Sequence, residues 1–294
     1  MMLSYLYERY GVGEDTMKII YENERGKVVM YGGGNGIFNV IEIRGLSMPE
    51  NDIDTVYYPD MAGCIVNKSA SQERIITISG DARDTMGKNT ARAMHILSKS
   101  GAMTIISSGV SRKIFARCIS FETNKRKGVY IPFVLQLMAE NPYFQDVNDT
   151  KTIVSKREGV LSSPFVLPCS LSVKKTQTMI VNKGDVNIEP VFILTSPEGA
   201  VCPDGIIIEN LNTGAKIKLN TDIAPNEQIK VDVKNRRITS SSRGNIIFCL
   251  DDETSLSEFF LETGVSDVKI SAWDAEGKIY AECIYNNNYL CVCL

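Results

Sequence analysis

The sequence is poor in the residue types that most enzymes use for catalysis. It has a single histidine, His95, and a single tryptophan, Trp273. A Ser-His-Asp or Cys-His arrangement, and most zinc sites, would have to use that one histidine. It lies in "RAMHIL", on the flank of an apolar helical stripe, which favours a structural position over a general base. The sequence has no G-x-S-x-G nucleophile elbow and no G-x-x-x-x-G-K-[ST] phosphate loop. We therefore expect no enzymatic activity and no cofactor.

Long apolar runs and paired cysteine motifs are also missing. No stretch approaches the roughly 20 apolar residues of a membrane span, and the opening "MMLSYLYERYGVG" lacks the basic start and apolar run of a signal peptide. None of the eight cysteines belongs to a Cys-x-x-Cys element, so we expect reduced thiols in a protein made in the cytosol. Cys291 and Cys293 share one strand face, but no further ligands lie near them in sequence, and we expect no metal site.

Positive charge is not concentrated anywhere in the chain. The net charge is −3, and neither half of the sequence is basic. A protein that binds the phosphate backbone of nucleic acid needs a basic surface. We therefore expect no sequence-specific binding of nucleic acid. Residues 251–294 hold two lysines and nine carboxylates, which suggests that this segment faces solvent or a basic partner.

The first half of the chain has the pattern of an α+β domain in which strands predominate. Apolar and β-branched residues alternate in several short segments, and the predicted strands are 27–31, 37–44, 74–80, 103–107 and 111–122. One helix interrupts them in "DTMGKNTARAMHILSKSG", with an apolar stripe at helical spacing and an acidic residue or threonine able to cap its start. The stripe comprises Met86, Thr90, Ala93, Met94 and Leu97. A helix of this length must cover one face or end of a sheet or barrel.

The second half predicts an all-β domain. About eight short strands follow one another between residues 152 and 294, with turns such as "NTG" and "APNE" between them and no helical period. This spacing is typical of an antiparallel β-sandwich of the jelly-roll type.

The stretch "ENPYFQD" (140–146) divides the two halves. Asn141 precedes a proline and is therefore pushed towards an extended conformation, while Pro142 has no amide hydrogen for a strand ladder. Tyr143 and Phe144 can then pack where one domain ends and the next begins. We interpret these four residues as a structural domain-junction motif, with a plain strand terminus as the alternative.

Three other features resemble functional sites but have simpler interpretations. "YGGGNG" (31–36) precedes a strand rather than a helix, so we expect a hairpin turn with positive φ angles and not a phosphate cradle. Asp81 and Asp84 are explained by a turn and a helix cap. The basic run 125–127 is expected at a solvated hairpin tip, with an anionic partner as the alternative.

Trp273 ends a predicted strand in "SAWDAEG". Packing within the sandwich is the favoured interpretation. A contact between subunits and stacking on a sugar ring remain as alternatives, since aromatic rings at the ends of jelly-roll strands can bind carbohydrate.

Several segments, taken in order, resemble the distal tail protein family of long-tailed bacteriophages. In the first half the segments are "MKIIYENERGKVVMYGG" (17–33), "GLSMP" (45–49), "ITISGDAR" (76–83), "SRKIFARCISFE" (111–122) and the closing "ENPYFQD". In the second half they are "NKGDVNIEPVFI" (182–193), "IIIENLNTGAKIKL" (206–219) and "NEQIKVDV" (226–233). Where family members often have Gly-Glu, this chain has Asn226 and Glu227. Residues 1–16 precede the usual start and are expected to form an extension or arm.

The resemblance implies a mainly β fold of two domains. Residues 17–148 would form a barrel-like belt domain with one helix, and residues 149–294 a galectin-like β-sandwich. It also implies a homohexameric ring at the tip of the tail tube. The implied partners are further copies of the chain, the tail tube protein, the tape-measure protein, and a tail-tip hub, tail-associated lysin or fibre protein.

Such rings are assembled in the host cytoplasm and end up in the virion, as part of the tail tip or baseplate. A ring around a DNA channel should not be strongly basic, and the first half carries 17 basic and 17 acidic side chains. We therefore expect a non-catalytic virion structural protein. The alternative is a carbohydrate-binding or receptor-binding tail component that uses the sandwich.

Overall fold

The chain folds into two compact units, each with its own core. The computed structural model describes residues 17–34, 36–57, 62–159, 172–273, 275 and 277–292. The first unit runs to Val147 and takes up the chain again from Tyr289, while the second comprises Asn148–Asn288. Residues 1–16, for which we expected an extension or arm, lie outside the described part, as do Cys169 and Cys293.

The first unit is built mainly from β-strands. Its described elements are, in chain order, β1 (Lys18–Asn23), β2 (Gly26–Gly32), β3 (Phe38–Arg44), β4 (Asn51–Val56), β5 (Ile65–Ser71), β6 (Arg74–Arg83), α1 (Lys88–Leu97), β7 (Gly101–Ser107), β8 (Val110–Thr123), β9 (Tyr130–Ala139) and β10 (Phe144–Asp146). The segments predicted as strands all lie within these elements or overlap them closely.

Seven of these strands close into a barrel. Their order is β8-β7-β1-β2-β3-β6-β9, and β8 pairs with β9 as well as with β7. The 14 residues of β8 make this possible, because its first half pairs with β7 and its second half with β9. A closed barrel has no unpaired strand edges. Strand β10 adds to the outside of β8 at Arg112 and Lys113.

The barrel interior is filled by the inward residues of alternating strands. In β6, for example, Ile76, Ile78 and Ala82 are fully buried while their neighbours are not, as the two-residue period of a strand requires. Phe133 of β9 completes this core, edge-on to Phe38 at 5.8 Å. The alternation that predicted the strands therefore also identified the core.

The glycine-rich stretch was predicted to be a hairpin turn, and this prediction is wrong. Strands β2 and β3, which it joins, run parallel, with Met30 beside Phe38. The expectation of positive φ angles is confirmed, since φ is 100° at Gly33 and 86° at Gly34. These left-handed residues let the chain loop back and start β3 in the same direction as β2.

Helix α1 covers the barrel through a different stripe from the one predicted. Thr90, Ala93 and Leu97 are buried as expected, together with Ile96, but Met86 and Met94 are exposed. Met86 lies outside the helix, because Gly87 takes a left-handed conformation, with φ 73°, just before the first turn.

The N-cap residue of α1 is Gly87 and not Asp84 or Thr85, but Asp84 does bond the first turn of the helix. Its Oδ2 accepts hydrogen bonds from the backbone N–H of Thr90 at 2.8 Å and from the Thr90 hydroxyl at 3.0 Å. Burial raises the pKa of Asp84, but these bonds and those from the amides of Met86 and Gly87 outweigh it, so the pKa lies below its usual value. The carboxylate has a complete structural explanation.

The hairpin formed by β4 and β5 was not predicted from the sequence. These two strands pair only with each other among the described residues. Every described side chain of the hairpin is exposed or half-buried, so its strands carry none of the alternation that marks a strand on a core.

The end of the chain returns to the first unit. Strand β22 (Asn288–Tyr289) pairs with β10, the backbone N–H of Val292 donates to Leu46 O at 3.1 Å, and the Val292 side chain joins the barrel core. Residues 149–294 were expected to form the second domain, but Tyr289–Val292 belong to the first unit. A short terminal segment carries no local signal of its distant partners.

The described part of the second unit consists of strands and two short 3-10 helices, Ile247–Cys249 and Leu256–Glu258. Its strands are β11 (Thr150–Gly159), β12 (Ser172–Lys175), β13 (Gln177–Asn182), β14 (Val191–Thr195), β15 (Ile206–Asn210), β16 (Lys216–Leu219), β17 (Gln228–Asp232), β18 (Arg237–Ser240), β19 (Gly244–Asn245), β20 (Gly264–Ala272) and β21 (Tyr280–Tyr285).

These strands form a sandwich of two antiparallel sheets. The larger sheet has the order β12-β11-β21-β14-β17-β18-β19, and the smaller one β13-β20-β15-β16. Buried residues of both sheets, such as Phe192 of β14 and Ile208 of β15, belong to one hydrophobic cluster. Phe259 packs edge-on against Phe192 at 5.5 Å. The predicted mainly β fold class, with one α-helix in the first half and a sandwich in the second, is confirmed.

Candidate functional site

The junction motif of the sequence analysis is organised around a buried arginine, Arg74. Arg74 is the first residue of β6, and it is only 3% exposed. Phe144 is fully buried, and its ring centroid lies 4.6 Å from the guanidinium carbon of Arg74. Such a cation–π contact is stronger when it is removed from water. Phe144 of "ENPYFQD" therefore forms one side of the site that holds Arg74.

Arg74 also binds four backbone carbonyls from three separate segments. Its Nε donates to Pro142 O at 2.6 Å, and its Nη2 to Leu290 O at 2.8 Å. Its Nη1 donates to Gly45 O at 2.7 Å and to Ser47 O. A guanidinium has five donors in a fixed plane, so it can hold several acceptors in one geometry. Burial lowers the pKa of Arg74 to about 10, which leaves it charged at neutral pH.

The remaining residues of the motif make local bonds that set the course of the chain. Asn141 Oδ1 accepts from the backbone N–H of Tyr143 at 3.2 Å, which closes a tight turn around Pro142. The Tyr143 hydroxyl lies 3.1 Å from Ser71 Oγ, at the end of β5. The turn, and not only the proline, brings the chain from β9 into β10.

A second arginine binds the other end of β10. Arg112 Nη1 lies 2.8 Å from Asp146 Oδ1, and its guanidinium carbon lies 3.6 Å from the ring centroid of Tyr289. Arg74 and Arg112 therefore hold the chain where it leaves the first unit, at Val147, and where it returns, at Tyr289. Sequence reasoning found the aromatic residues but missed both arginines, because an arginine in a strand gives no signal of its distant partners.

Large apolar side chains are exposed on the hairpin and on the barrel. On the hairpin they are Ile53, Ile65, Val66 and, just beyond β4, Tyr57 at 73% exposure. On the barrel, Phe115 is 60% exposed, and Ile41 and Ile119 occupy β-bulges that break the registers of β3 with β6 and of β8 with β9. Bulges re-aim side chains. Clustered exposed apolar side chains are typical of interaction surfaces.

Trp273 lies just after β20 and is 69% exposed. The favoured interpretation, packing within the sandwich, is therefore wrong. A tryptophan this exposed contributes little to the core, and the two surface interpretations, a contact between subunits and stacking on a sugar, stay as predictions.

His95 lies on the exposed side of α1. Within the described ranges no three His, Cys, Asp or Glu side chains converge as metal ligands. Five of the described cysteines are free thiols: Cys64, Cys118, Cys202, Cys249 and Cys283. Residues 125–127 are exposed in the connection between β8 and β9, as predicted.

No helix in the described part of the chain has the length and apolar character needed to cross a membrane.

Comparisons with known proteins find similarity in structure and not in sequence. No protein-family model matches the chain, and no curated protein matches it. Among solved structures, the SPP1 Dit protein is similar with a TM-score of 0.66 at 12% sequence identity. The match covers 92% of this chain and 98% of that one. That protein is presented as a paradigm of the hub adsorption apparatus in phages that infect Gram-positive bacteria.

A chain of the phage P2 baseplate, in its activated conformation with Ca, gives a TM-score of 0.50 at 11% identity. The match covers 95% of this chain and all of that one. At these identities the similarity establishes a shared fold, over 98% of the SPP1 protein and the whole of the baseplate chain.

Proposed function

We propose that the protein is a non-catalytic structural component of a phage virion that forms a closed ring, of six copies, at the distal end of the tail. The ring would join the tail tube to the tail-tip hub, tail-associated lysin or fibre protein. The tape-measure protein and DNA would pass through its channel. Assembly would take place in the cytoplasm of the host, where free cysteines stay reduced.

The observation that carries this proposal is the fold shared with SPP1 Dit over 98% of that protein. A match to one domain would say little, because a β-sandwich or a small barrel hosts many functions. Here the match spans 92% of this chain, and so includes residues of both the barrel unit and the sandwich unit, together with 98% of the phage protein. The ordered sequence segments that resemble distal tail proteins support the same conclusion.

The surface of the first unit offers the means of assembly. A ring of identical copies needs two different, complementary patches on each copy. The β4–β5 hairpin, whose apolar side chains are exposed, is one candidate patch, and the exposed apolar side chains of the barrel are the other. Burial of this surface between neighbours would contribute roughly 25 cal/mol per Å².

The ring is tested by negative-stain electron microscopy of the full chain mixed with the tail tube protein of the same phage. We expect annular particles of sixfold symmetry at the tube end. The double variant Ile53→Asp and Val66→Asp places charge on exposed hairpin positions, so it should fold normally but lose the rings.

The matched control is Met179→Asp with Val265→Asp, two equally exposed apolar positions on neighbouring strands of the second unit. It should still form rings. Absence of annular particles with the unmodified chain and its tube partner would overturn the proposal, and rings that tolerate the hairpin variant would remove the hairpin from the interface.

A further inference from the structure

The second unit contains an open pocket of about 830 Å³. It lies among four connecting segments: the turns after β14 and before β17, the segment after β18, and the turn before β21. Its volume falls within the range of small-molecule sites. Residues of the pocket come from distant parts of the sequence, which is why no motif predicted it.

An ion pair between a buried glutamate, Glu227, and an exposed arginine, Arg243, forms one wall of the pocket. Glu227 is 3% exposed, and its Oε1 accepts from Arg243 Nε at 2.8 Å and from the Ser242 hydroxyl at 2.8 Å. Its Oε2 accepts from the backbone N–H of Ala224 at 2.8 Å. Burial raises the pKa of Glu227, but the bonds from Arg243, Ser240, Ala224 and Ser242 outweigh it and lower the pKa to about 2. The carboxylate therefore stays charged and holds Arg243 in place.

Arg243 keeps donors available for a ligand. Beside the bond to Glu227, its Nη1 donates to Thr221 Oγ1 at 2.8 Å and its Nη2 to Asp222 O at 3.0 Å. Three of its five N–H groups are thus used, and two are left at the pocket. Because the planar guanidinium is held at three points, these two donors have a set direction before any ligand arrives.

Acceptors and a second cation complete the polar part of the lining. Asp222 Oδ1 accepts from the backbone N–H of Cys202 at 2.6 Å, while Oδ2 accepts no hydrogen bond from the part of the chain that the structure describes. Lys278 lies on the opposite connecting segment. Between these charges, Val201, which is 71% exposed, and Pro225 provide apolar surface.

The balance of these groups selects the class of ligand. The pocket holds three carboxylates, counting Glu198, and two cations, so it is slightly negative and unsuited to a phosphate or another anion. The pocket offers both hydrogen-bond donors and hydrogen-bond acceptors beside an apolar surface. This combination matches a neutral molecule that has hydroxyl groups on one side and C–H groups on the other. A sugar ring has this character.

We propose that this pocket of the second unit binds a neutral saccharide, with hydroxyl groups accepting from Arg243 and donating to Asp222 while a ring face packs on Val201 and Pro225. The proposal does not depend on the ring, because every residue of the pocket belongs to one copy of the second unit. It also places carbohydrate binding away from Trp273, which does not line the pocket.

Saturation-transfer NMR on the full chain tests the proposal, with glucose, galactose, N-acetylglucosamine and cellobiose as probes and inorganic phosphate as the anionic comparison. We expect saturation transfer to at least one sugar. We also expect that adding inorganic phosphate does not reduce this signal. Asp222→Asn removes a charged acceptor but keeps an oxygen for the Cys202 amide, and Lys278→Ala removes an exposed cation. Each should weaken sugar binding at least tenfold.

Asp252→Asn and Lys234→Ala are the matched controls, since both residues are exposed and neither lines the pocket. They should bind as the unmodified chain does. The proposal is overturned if no sugar binds, if phosphate displaces the sugar, or if Trp273→Ala abolishes binding while the two pocket variants leave it intact.

Discussion

At the scale of single residues, the two buried charges Arg74 and Glu227 have similar roles in different units. Each side chain is almost fully buried. Arg74 donates hydrogen bonds to several chain segments, and Glu227 accepts hydrogen bonds from several. A buried charge without such partners would cost several kcal/mol. Their placement follows from the finished fold, and for this reason neither could be predicted from the residues around it.

Replacing Arg74 with methionine should destabilise the first unit strongly. The change keeps an apolar stem beside Phe144 but leaves the carbonyls of Gly45, Pro142 and Leu290 without their donor. Each buried acceptor left unpaired costs about 1–3 kcal/mol, so we expect a loss of about 3 kcal/mol or more. For a unit of this size that is a fall in Tm of roughly 6–12 °C, which differential scanning calorimetry of the full chain would measure.

Arg44→Met is the matched control for Arg74→Met. Arg44 is an exposed arginine of the same barrel, paired with Glu42 at 2.7 Å. An exposed pair of this kind contributes at most about 1 kcal/mol. If Arg74→Met lowered Tm no more than Arg44→Met does, the described role of Arg74 would be wrong.

Asn226 occupies a position at which the backbone conformation limits the choice of residue. The backbone is left-handed there, with φ 59°. Asparagine tolerates that conformation better than other residues with a side chain. The turn before β17 is thus allowed, and the following Glu227 is placed at the pocket.

At the scale of elements, the strands that pack on a core were predicted and the others were not. Strands such as β6 and β20 alternate between buried and half-buried residues, and this alternation is visible in the sequence. Strands β4 and β5 have no buried face among their described side chains, so their sequence lacks the alternation that predicts a strand. The parallel pairing of β2 with β3 was unpredictable for a different reason, since a short glycine-rich connection usually joins antiparallel strands.

The approach of β3 to β6 depends on a glycine. A Cβ atom added at Gly80 would lie 1.9 Å from Asn39 O, so the two backbones would have to move apart next to the bulge at Ile41. We expect Gly80→Ala to cost about 3 kcal/mol, at the upper end for an overpacked site, or to leave the chain insoluble. The yield of soluble protein and its urea denaturation midpoint give the measurement.

Gly32→Ala provides the comparison within the same barrel. Its added Cβ would lie 3.4 Å from Met17 Cβ, an ordinary contact, so the change should alter stability by less than about 1 kcal/mol. Equal effects of the two substitutions would show that the close approach at Gly80 does not limit the barrel.

At the scale of the whole molecule, the chain is a barrel unit interrupted by a sandwich unit. The division near residue 147 coincides with a stretch of sequence that stood out on its own, because proline and aromatic residues mark it. The return at Tyr289 has no such mark. Contacts between residues that are more than 200 positions apart, such as Arg74 with Leu290, belong to the topology, and local patterns carry no information about them.

Truncation after Asn288 should therefore weaken the first unit and spare the second. The change removes the Leu290 carbonyl from Arg74, the Tyr289 ring from Arg112, and Val292 from the barrel core. Amide hydrogen exchange followed by mass spectrometry resolves the units separately. We expect faster exchange in β6, β8 and β10, and unchanged exchange in β14, β17 and β21, whose bonds and core lie within the second unit. Faster exchange in the sandwich strands, or no change in the barrel strands, would contradict the assignment of the last described residues to the first unit.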